Sequence, residues 1–389
     1  MIPELDLSDP RVLGDPLTAY GQAREQSPVI KLMTPGFGFM WAVTRYDEAK
    51  AMLADPRLEL NANTFLRPAV PEHCLQYMRT MTELDAPEHA RLRRVVSPAF
   101  TARRAAQFRT RIDLIVGRLL DTLAEREPVD LVTAFARPLP MEVICELVGI
   151  PAQDRPAWRE YGAAIAAVDI KAFGEAIPAI IHDAIAAVAR RSAEPEDDLL
   201  SDLIGGGRLT TTELVTLVWH LVLAGQTPAN LITNAIDALK AHPDQETALR
   251  ADPTSMPAAV EELTRWCSPQ PLSLPRFASE DLDIGGVAIS RGEPVVAAIA
   301  CANRDPRAFT NPDTLDLKRQ EKPHIAYAHG PHFCFGAPLA RVQVEAALSA
   351  LLTRFPAMTV QRAEHLPDPG TWRLKELVVT LAGPHRRAF

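Results

Sequence analysis

One of the five cysteines stands in a setting unlike the rest. The run Tyr327-Ala328-His329-Gly330-Pro331-His332-Phe333-Cys334-Phe335-Gly336 places Cys334 in a turn bounded by glycines. A helix-forming run, Ala337 to Glu345, follows directly. Backbone N–H groups and the helix dipole stabilise negative charge at such a start, which favours the thiolate, the form that ligates a metal. Taken alone, a cysteine reads as a small buried hydrophobe. Here Gly330 and Gly336 let the backbone approach a flat ring closely. A zinc site built from His329, His332 and Cys334 lacks a second ligand pair at zinc spacing.

Three other constellations have chemical potential. Glu262 and Arg265 lie at i, i+3 on a helical pattern, where carboxylate and guanidinium meet; such pairs also abound on solvated surfaces. The stretch Leu223-Ala224-Gly225-Gln226-Thr227-Pro228-Ala229-Asn230 interrupts a long apolar helix. Pro228 cannot donate to the carbonyl of Ala224 and its ring clashes there, so a local break is predicted, with room for a water or dioxygen beside it. A simple kink is the plainer reading. His89 and Arg93 lie at i, i+4 on one predicted helix face, and together with Arg276 and His332 they form a set suited to binding carboxylates.

The elements that must position these residues are mostly helical. Periodicity is clearest over 103–123, 212–239, 256–267 and 338–355. Residues 29–32 and 39–43 read as a hairpin around Thr34-Pro35-Gly36. Residues 282–289 read as a second hairpin, turning at Gly285-Gly286 and followed by an extended 295–298. Residues 60–85 read as a long loop with short helices, and 159–185 as two helices broken near Phe173-Gly174.

Taken together, these motifs resemble the cytochrome P450 family. The Cys334 loop is similar to the family's haem-binding loop, with Tyr327 where phenylalanine is usual and Ala328 where glycine is usual. A phenol at 327 suits a hydrogen bond to sulfur or to backbone, and alanine at 328 makes a positive φ costly or absent. Glu262 and Arg265 resemble the buried Glu-x-x-Arg pair, a structural network that Asn303–Pro306 and Leu317–Arg319 help to complete. Pro312-Asp313-Thr314-Leu315 stands where the family has Pro-x-Arg-Phe, which leaves the third partner open. Thr227 matches the threonine of the family's oxygen groove, and Gln226 stands in place of its acid. An amide cannot shuttle a proton as an acid does, but it can order water.

What the resemblance implies is a mainly α fold with small β-sheets, one domain over residues 1–389, and a haem-thiolate monooxygenase. Cys334 would be the axial ligand to the iron of haem b. His89, Arg93, Arg276 and His332 would hold the propionates, and Tyr327 and Gly336 would shape the loop. Trp219, Val222, Leu223, Leu272, Ser273 and part of 60–85 would line the pocket of a small or medium-sized organic substrate, of the kind made in natural-product biosynthesis. O2 would be the co-substrate. Electrons would come from NAD(P)H through a separate ferredoxin- or flavodoxin-type donor, with Arg91, Arg94, Arg103 and Arg104 read either as its docking surface or as an ordinary basic face. Two further readings stay open: an oxidase that closes rings or forms C–S or C–O bonds, and a non-catalytic haem sensor or carrier.

Composition bounds these readings. Lys+Arg 41 against Asp+Glu 49 gives a net charge of −8, which excludes a strongly basic nucleic-acid binder. The scattered cysteines, without a CxxC, suit a reducing cytoplasm. The acidic N-terminus has no signal-peptide pattern, and the apolar run from Leu214 to Gly225 is too short to span a bilayer, so a cytoplasmic protein without a membrane anchor is expected.

Overall fold

The computed structural model describes residues 2–34, 38–61, 64, 68–123, 128–167, 169–321 and 323–381. The chain forms two compact units. Unit 1 comprises Met1–Phe65, Asn230–Cys334 and Val360–Leu377; unit 2 comprises Leu66–Ala229, Phe335–Thr359 and Val378–Phe389. The architecture is mainly α with small sheets, as the periodicity predicts.

Unit 1 is organised on a six-stranded mixed sheet. Its strands run in the order Glu4–Asp6, Val29–Thr34, Gly38–Val43, Pro294–Ala297, Arg276–Ala278 and Leu58–Glu59. Successive side chains of a strand point to opposite faces, and here both faces are covered. Val29, Trp41, Val43, Val295 and Ala297 enter one apolar cluster, while Ile30, Leu32, Met40, Ala42 and Val296 enter another. The expected first hairpin forms with Ile30 opposite Ala42; Pro35 and Gly36 of its turn lie outside the described residues. The second hairpin pairs Leu282–Ile284 with Val287–Ile289, and both turn glycines, Gly285 and Gly286, have positive φ, as a two-residue hairpin loop demands. The extended segment after it joins Trp41–Val43 in the large sheet rather than extending that hairpin.

The Met256–Cys267 helix carries the buried charge pair. Arg265 grips Glu262 with two bonds, Nε to Oε2 at 2.7 Å and Nη2 to Oε1 at 2.8 Å. Its Nη1 donates to the carbonyls of Asn303 and Pro312 at 2.8 and 2.9 Å. The third partner is Arg319, whose Nε donates to Glu262 Oε1 at 3.1 Å while its Nη1 donates to the Thr310 carbonyl at 2.7 Å. Asn303 Oδ1 accepts from the N–H of Ile325 at 2.8 Å. Residues 303–321 and Ile325 are thus pinned by charged and amide side chains rather than by regular secondary structure.

Unit 2 is helical. Ala102–Leu123 packs along Ala337–Arg354, with Arg109–Glu345 and Arg354–Asp121 ion pairs at 3.6 and 2.7 Å. In the alanine-rich region one helix ends at Ala166 and the next starts at Ile170, so no break falls at Phe173-Gly174 as expected. Asp169 accepts from the N–H groups of Lys171 and Ala172 and so starts the Ile170–Ala193 helix, with Gly174 inside it. Capping contributes about 1 kcal/mol, which offsets the similar penalty of an interior glycine. Gly174 is also suited to its place, since a Cβ there would stand 3.1 Å from Pro68 Cβ. This helix is long and apolar enough to cross a membrane by length and composition, but Ile177, Ile180, Ile181, Ala184 and Val188 are buried and it packs against the Thr211–Ala224 helix.

Replacing Glu262 by Leu strands Arg265, which is 2% exposed. The expected loss is about 3–5 kcal/mol, read as a lower urea midpoint, with Glu262→Gln losing less.

Candidate functional site

Unit 1 supplies the cysteine loop. Its N–H groups fold back on the chain: Ala328 to the Ile325 carbonyl, Phe333 to Gly330 and Cys334 to Tyr327, at 2.9, 3.0 and 2.9 Å. Ala328 has φ of 61° and Gly330 of 73°. The positive φ that alanine was expected to make costly or absent at 328 is therefore present. The left-handed backbone costs an L-residue roughly 1–2 kcal/mol, which the surrounding bonds offset. Gly330 leaves no room for a side chain, since a Cβ would stand 3.0 Å from both Ala54 Cα and the Leu53 carbonyl. Cys334 ends three residues before the Ala337–Arg354 helix and is the exposed one of the five cysteines. Burial pushes the thiols of Cys145, Cys267 and Cys301 up to about 12 and raises that of Cys74, so none of these suits a thiolate role.

Arg276 lies at the start of its strand, opposite Val295, and is 5% exposed. His332 is half-buried in the short turn at Gly330–His332. Ser273 is committed to backbone: its Oγ accepts from the Ala297 N–H at 2.8 Å and donates to the Leu274 carbonyl at 3.1 Å. Leu272 packs in the cluster with Ile30, Leu32 and Val296.

Unit 2 supplies the remaining residues. His89 and Arg93 share one helix, Glu88–Val96, with His89 buried. The Arg93 guanidinium lies 5.5 Å over the ring of Phe335, the residue after Cys334. Phe100 and His220 meet the same ring edge-on at 4.9 and 5.6 Å. Gly336 caps the following helix with ordinary αR backbone. Sequence reasoning missed His220 and Phe335 as neighbours of this site; the one signal was a histidine inside an otherwise apolar run.

The predicted helix break is present. One helix ends at Ala224 and the next starts at Thr227. Gly225 is required, because Ile144 and the Leu221 carbonyl fill the space a Cβ would need. Gln226 closes the joint: its Nε2 donates to the Val222 carbonyl at 3.2 Å. Gly162 of the neighbouring helix is what lets it approach, since a Cβ there would lie 3.2 Å from Gln226 Oε1. Thr227 is half-buried beside it.

The pocket residues divide. Trp219 is fully buried and stacked on Phe173, with centroids 6.0 Å apart, and Val222 is fully buried; Leu223 is half-buried. A cavity of about 200 Å³ within unit 2 instead touches Thr212, Thr216, Leu217 and His220 of that helix, with Gln76, Arg79, Met81 and Leu84 from the 60–85 segment. Of the four arginines with two readings, Arg91 pairs with Glu213, and Arg104 with Asp202 at 3.6 Å.

His220 is buried, and desolvation, with Arg93 nearby, lowers its pKa to about 4. Between pH 6.5 and 4 the unfolded chain takes up a proton that the folded chain refuses, so this residue's contribution falls as pH drops through that window and is intact above it. The linkage amounts to about 2 kcal/mol between pH 7.5 and pH 5. His220→Gln is expected to lose that slope in urea titrations at the two pH values.

The family model described as Cytochrome P450 matches residues 185–380. A 6-deoxyerythronolide B hydroxylase of Saccharopolyspora erythraea is 39% identical, over 88% of this chain and 89% of the relative. Cytochrome P450 monooxygenase PikC of Streptomyces venezuelae is 38% identical, over 94% and 91%. The solved structure of the ligand-free P450 monooxygenase TamI superposes with a TM-score of 0.89 at 36% identity, covering 98% of this chain and 94% of that one. With relatives this similar over most of its length, and with a cysteine loop, a buried Glu-x-x-Arg network and a broken apolar helix, the chain belongs to the cytochrome P450 family.

Proposed function

We propose that this oxygen-incorporating oxidoreductase inserts oxygen into a small or medium-sized, mostly apolar organic molecule in natural-product biosynthesis. The observation that carries the reading is Cys334: an exposed thiol, ahead of a helix start, in a loop whose backbone is held at positive φ on both sides of His329. The donor set fits haem b, with one thiolate for iron and the cationic or neutral donors Arg276, His332, His89 and Arg93 for two carboxylates. Tyr327, through its carbonyl bond to the Cys334 N–H, fixes the loop. Bound haem supplies the oxygen-activating redox chemistry.

The chain's own residues exclude, orient and deliver. Gly225 permits the break, Gln226 bridges it to the Val222 carbonyl, and the Thr227 hydroxyl would present a donor and acceptor there for proton delivery. The half-buried Leu223 would face the substrate. The hydroxylase relatives support the substrate class. A separate ferredoxin- or flavodoxin-type protein would pass electrons from NAD(P)H, in the cytoplasm, to what acts as one catalytic domain. Bond-forming oxidation is the second reading, favoured by the amide of Gln226, bonded to the Val222 carbonyl, in the place of an acid.

The reduced, carbon monoxide-treated protein should show the strongly red-shifted Soret band of thiolate-ligated haem, and Cys334→Ala should lose it. Haem bound without that band in the wild type would sink the reading. Gln226→Glu sets an acceptor-only carboxylate against the Val222 carbonyl and restores an acid, so the ratio of product to peroxide should shift. An unchanged ratio would remove residue 226 from proton delivery.

A further inference from the structure

His324 lies ahead of the Cys334 loop, in unit 1, and its side chain is 6% exposed. The backbone around it is heavily bonded. The Pro323 carbonyl accepts from the Tyr46 hydroxyl at 2.5 Å, and the Ile325 N–H donates to Asn303 Oδ1 at 2.8 Å. The Ala328 N–H returns to the Ile325 carbonyl, and the Cys334 N–H to the Tyr327 carbonyl. Between these bonds the Ala326 N–H donates to a side chain, Nδ1 of His324, at 3.1 Å.

This bond fixes the tautomer of the ring. A nitrogen that accepts from an N–H carries no hydrogen of its own, so the neutral ring holds its hydrogen on Nε2. Nε2 lies 3.4 Å from Glu261 Oε2, near enough for attraction though not aligned for a hydrogen bond. Packing does not explain the choice of residue. The ring lies tilted against that of Tyr327, with centroids 5.7 Å apart, a contact phenylalanine would make as well. Tyr327 in turn meets the ring of Phe333, the residue before Cys334, at 6.4 Å. What histidine adds is an acceptor for a backbone donor, one residue ahead of the carbonyl that holds Cys334.

We propose that His324 is a positioning residue for the Cys334 ligand: its Nδ1 anchors the Ala326 N–H and so keeps the Tyr327 carbonyl where it accepts from Cys334. Without that acceptor, a part-buried donor is left unpaired. The segment relieves the cost by turning the Ala326 N–H toward water, and Tyr327, the next residue, turns with it. The bond that holds the Cys334 backbone is then loosened, and with it the sulfur. The inference rests on the proposed function, in which Cys334 ligates iron, and adds a residue that acts on that ligand only through Tyr327.

The test uses the haem-loaded protein and two variants that separate acceptor from ring. His324→Asn loses the ring but keeps an acceptor, since an asparagine oxygen bonds the N–H two residues on in an Asx-turn. His324→Phe keeps the ring and loses the acceptor. The readout is the rate at which the reduced, carbon monoxide-treated protein loses its red-shifted Soret band, in urea too dilute to change the far-ultraviolet circular dichroism. A merely structural role moves the unfolding midpoint and leaves this rate alone. His324→Phe should lose the band about three- to tenfold faster than wild type, the range of one net hydrogen bond. His324→Asn should match wild type within a factor of about two. A wild-type rate in His324→Phe would overturn the assignment, and so would His324→Asn decaying as fast as His324→Phe. Should His324→Phe not fold, His324→Asn decides alone: a wild-type rate upholds the assignment and a fast loss overturns it. Wild type without the red-shifted band would instead overturn the Cys334 reading, so the two failures are distinct.

Discussion

The buried pair of Glu262 and Arg265 is the constraint on which unit 1 depends. Residues 303–321 carry little regular secondary structure, so their backbone groups need partners from elsewhere. Arg265 and Arg319 supply donors to the carbonyls of Asn303, Pro312 and Thr310, and Glu262 accepts from the Asp316 N–H at 3.1 Å. Arg304 adds to this by lying over Trp266 and donating to its carbonyl at 2.8 Å. The segment so held leads into the Cys334 loop. A buried ion pair is weak evidence for stability in general; here its value lies in specifying one path for an irregular segment.

Much of the site was legible because its chemistry is local. The cysteine turn, the Gly285-Gly286 hairpin and the break around Gly225 and Pro228 each follow from residue types that force a backbone conformation. Arg319 could be suspected from the segment but not assigned, since its role depends on where Glu262 and the Thr310 carbonyl meet in space. Gly174 misled because a short-range penalty was read without the competing cap at Asp169. The face of the Thr211–Ala224 helix that borders the cavity is harder to read. Trp219 and Val222 have the apolar character of a pocket lining, yet on this helix they turn to the interior, and Thr212, Thr216 and His220 face the open space. An all-round apolar helix gives periodicity little to work with.

Ala328 shows how a departure from a family pattern need not change the geometry. The left-handed backbone that glycine adopts freely is imposed on alanine by hydrogen bonds on either side, and Gly330 retains the one position where a methyl group would strike Ala54. Strain of this kind persists where the surroundings over-determine the conformation.

The large sheet has a bearing on how the chain comes to fold. The Trp41 indole donates to Glu293 at 2.8 Å across 252 residues of sequence, and the adjoining strands Gly38–Val43 and Pro294–Ala297 pair in parallel. Closing a loop of that length costs about 5 kcal/mol of chain entropy before any strand contact rewards it. During synthesis the N-terminal strands therefore emerge with one edge of their hairpin unmatched, and they wait until nearly three hundred residues exist before the partner strand arrives. Unit 1 is assembled from three separated stretches, so its sheet closes long after its first strands are made.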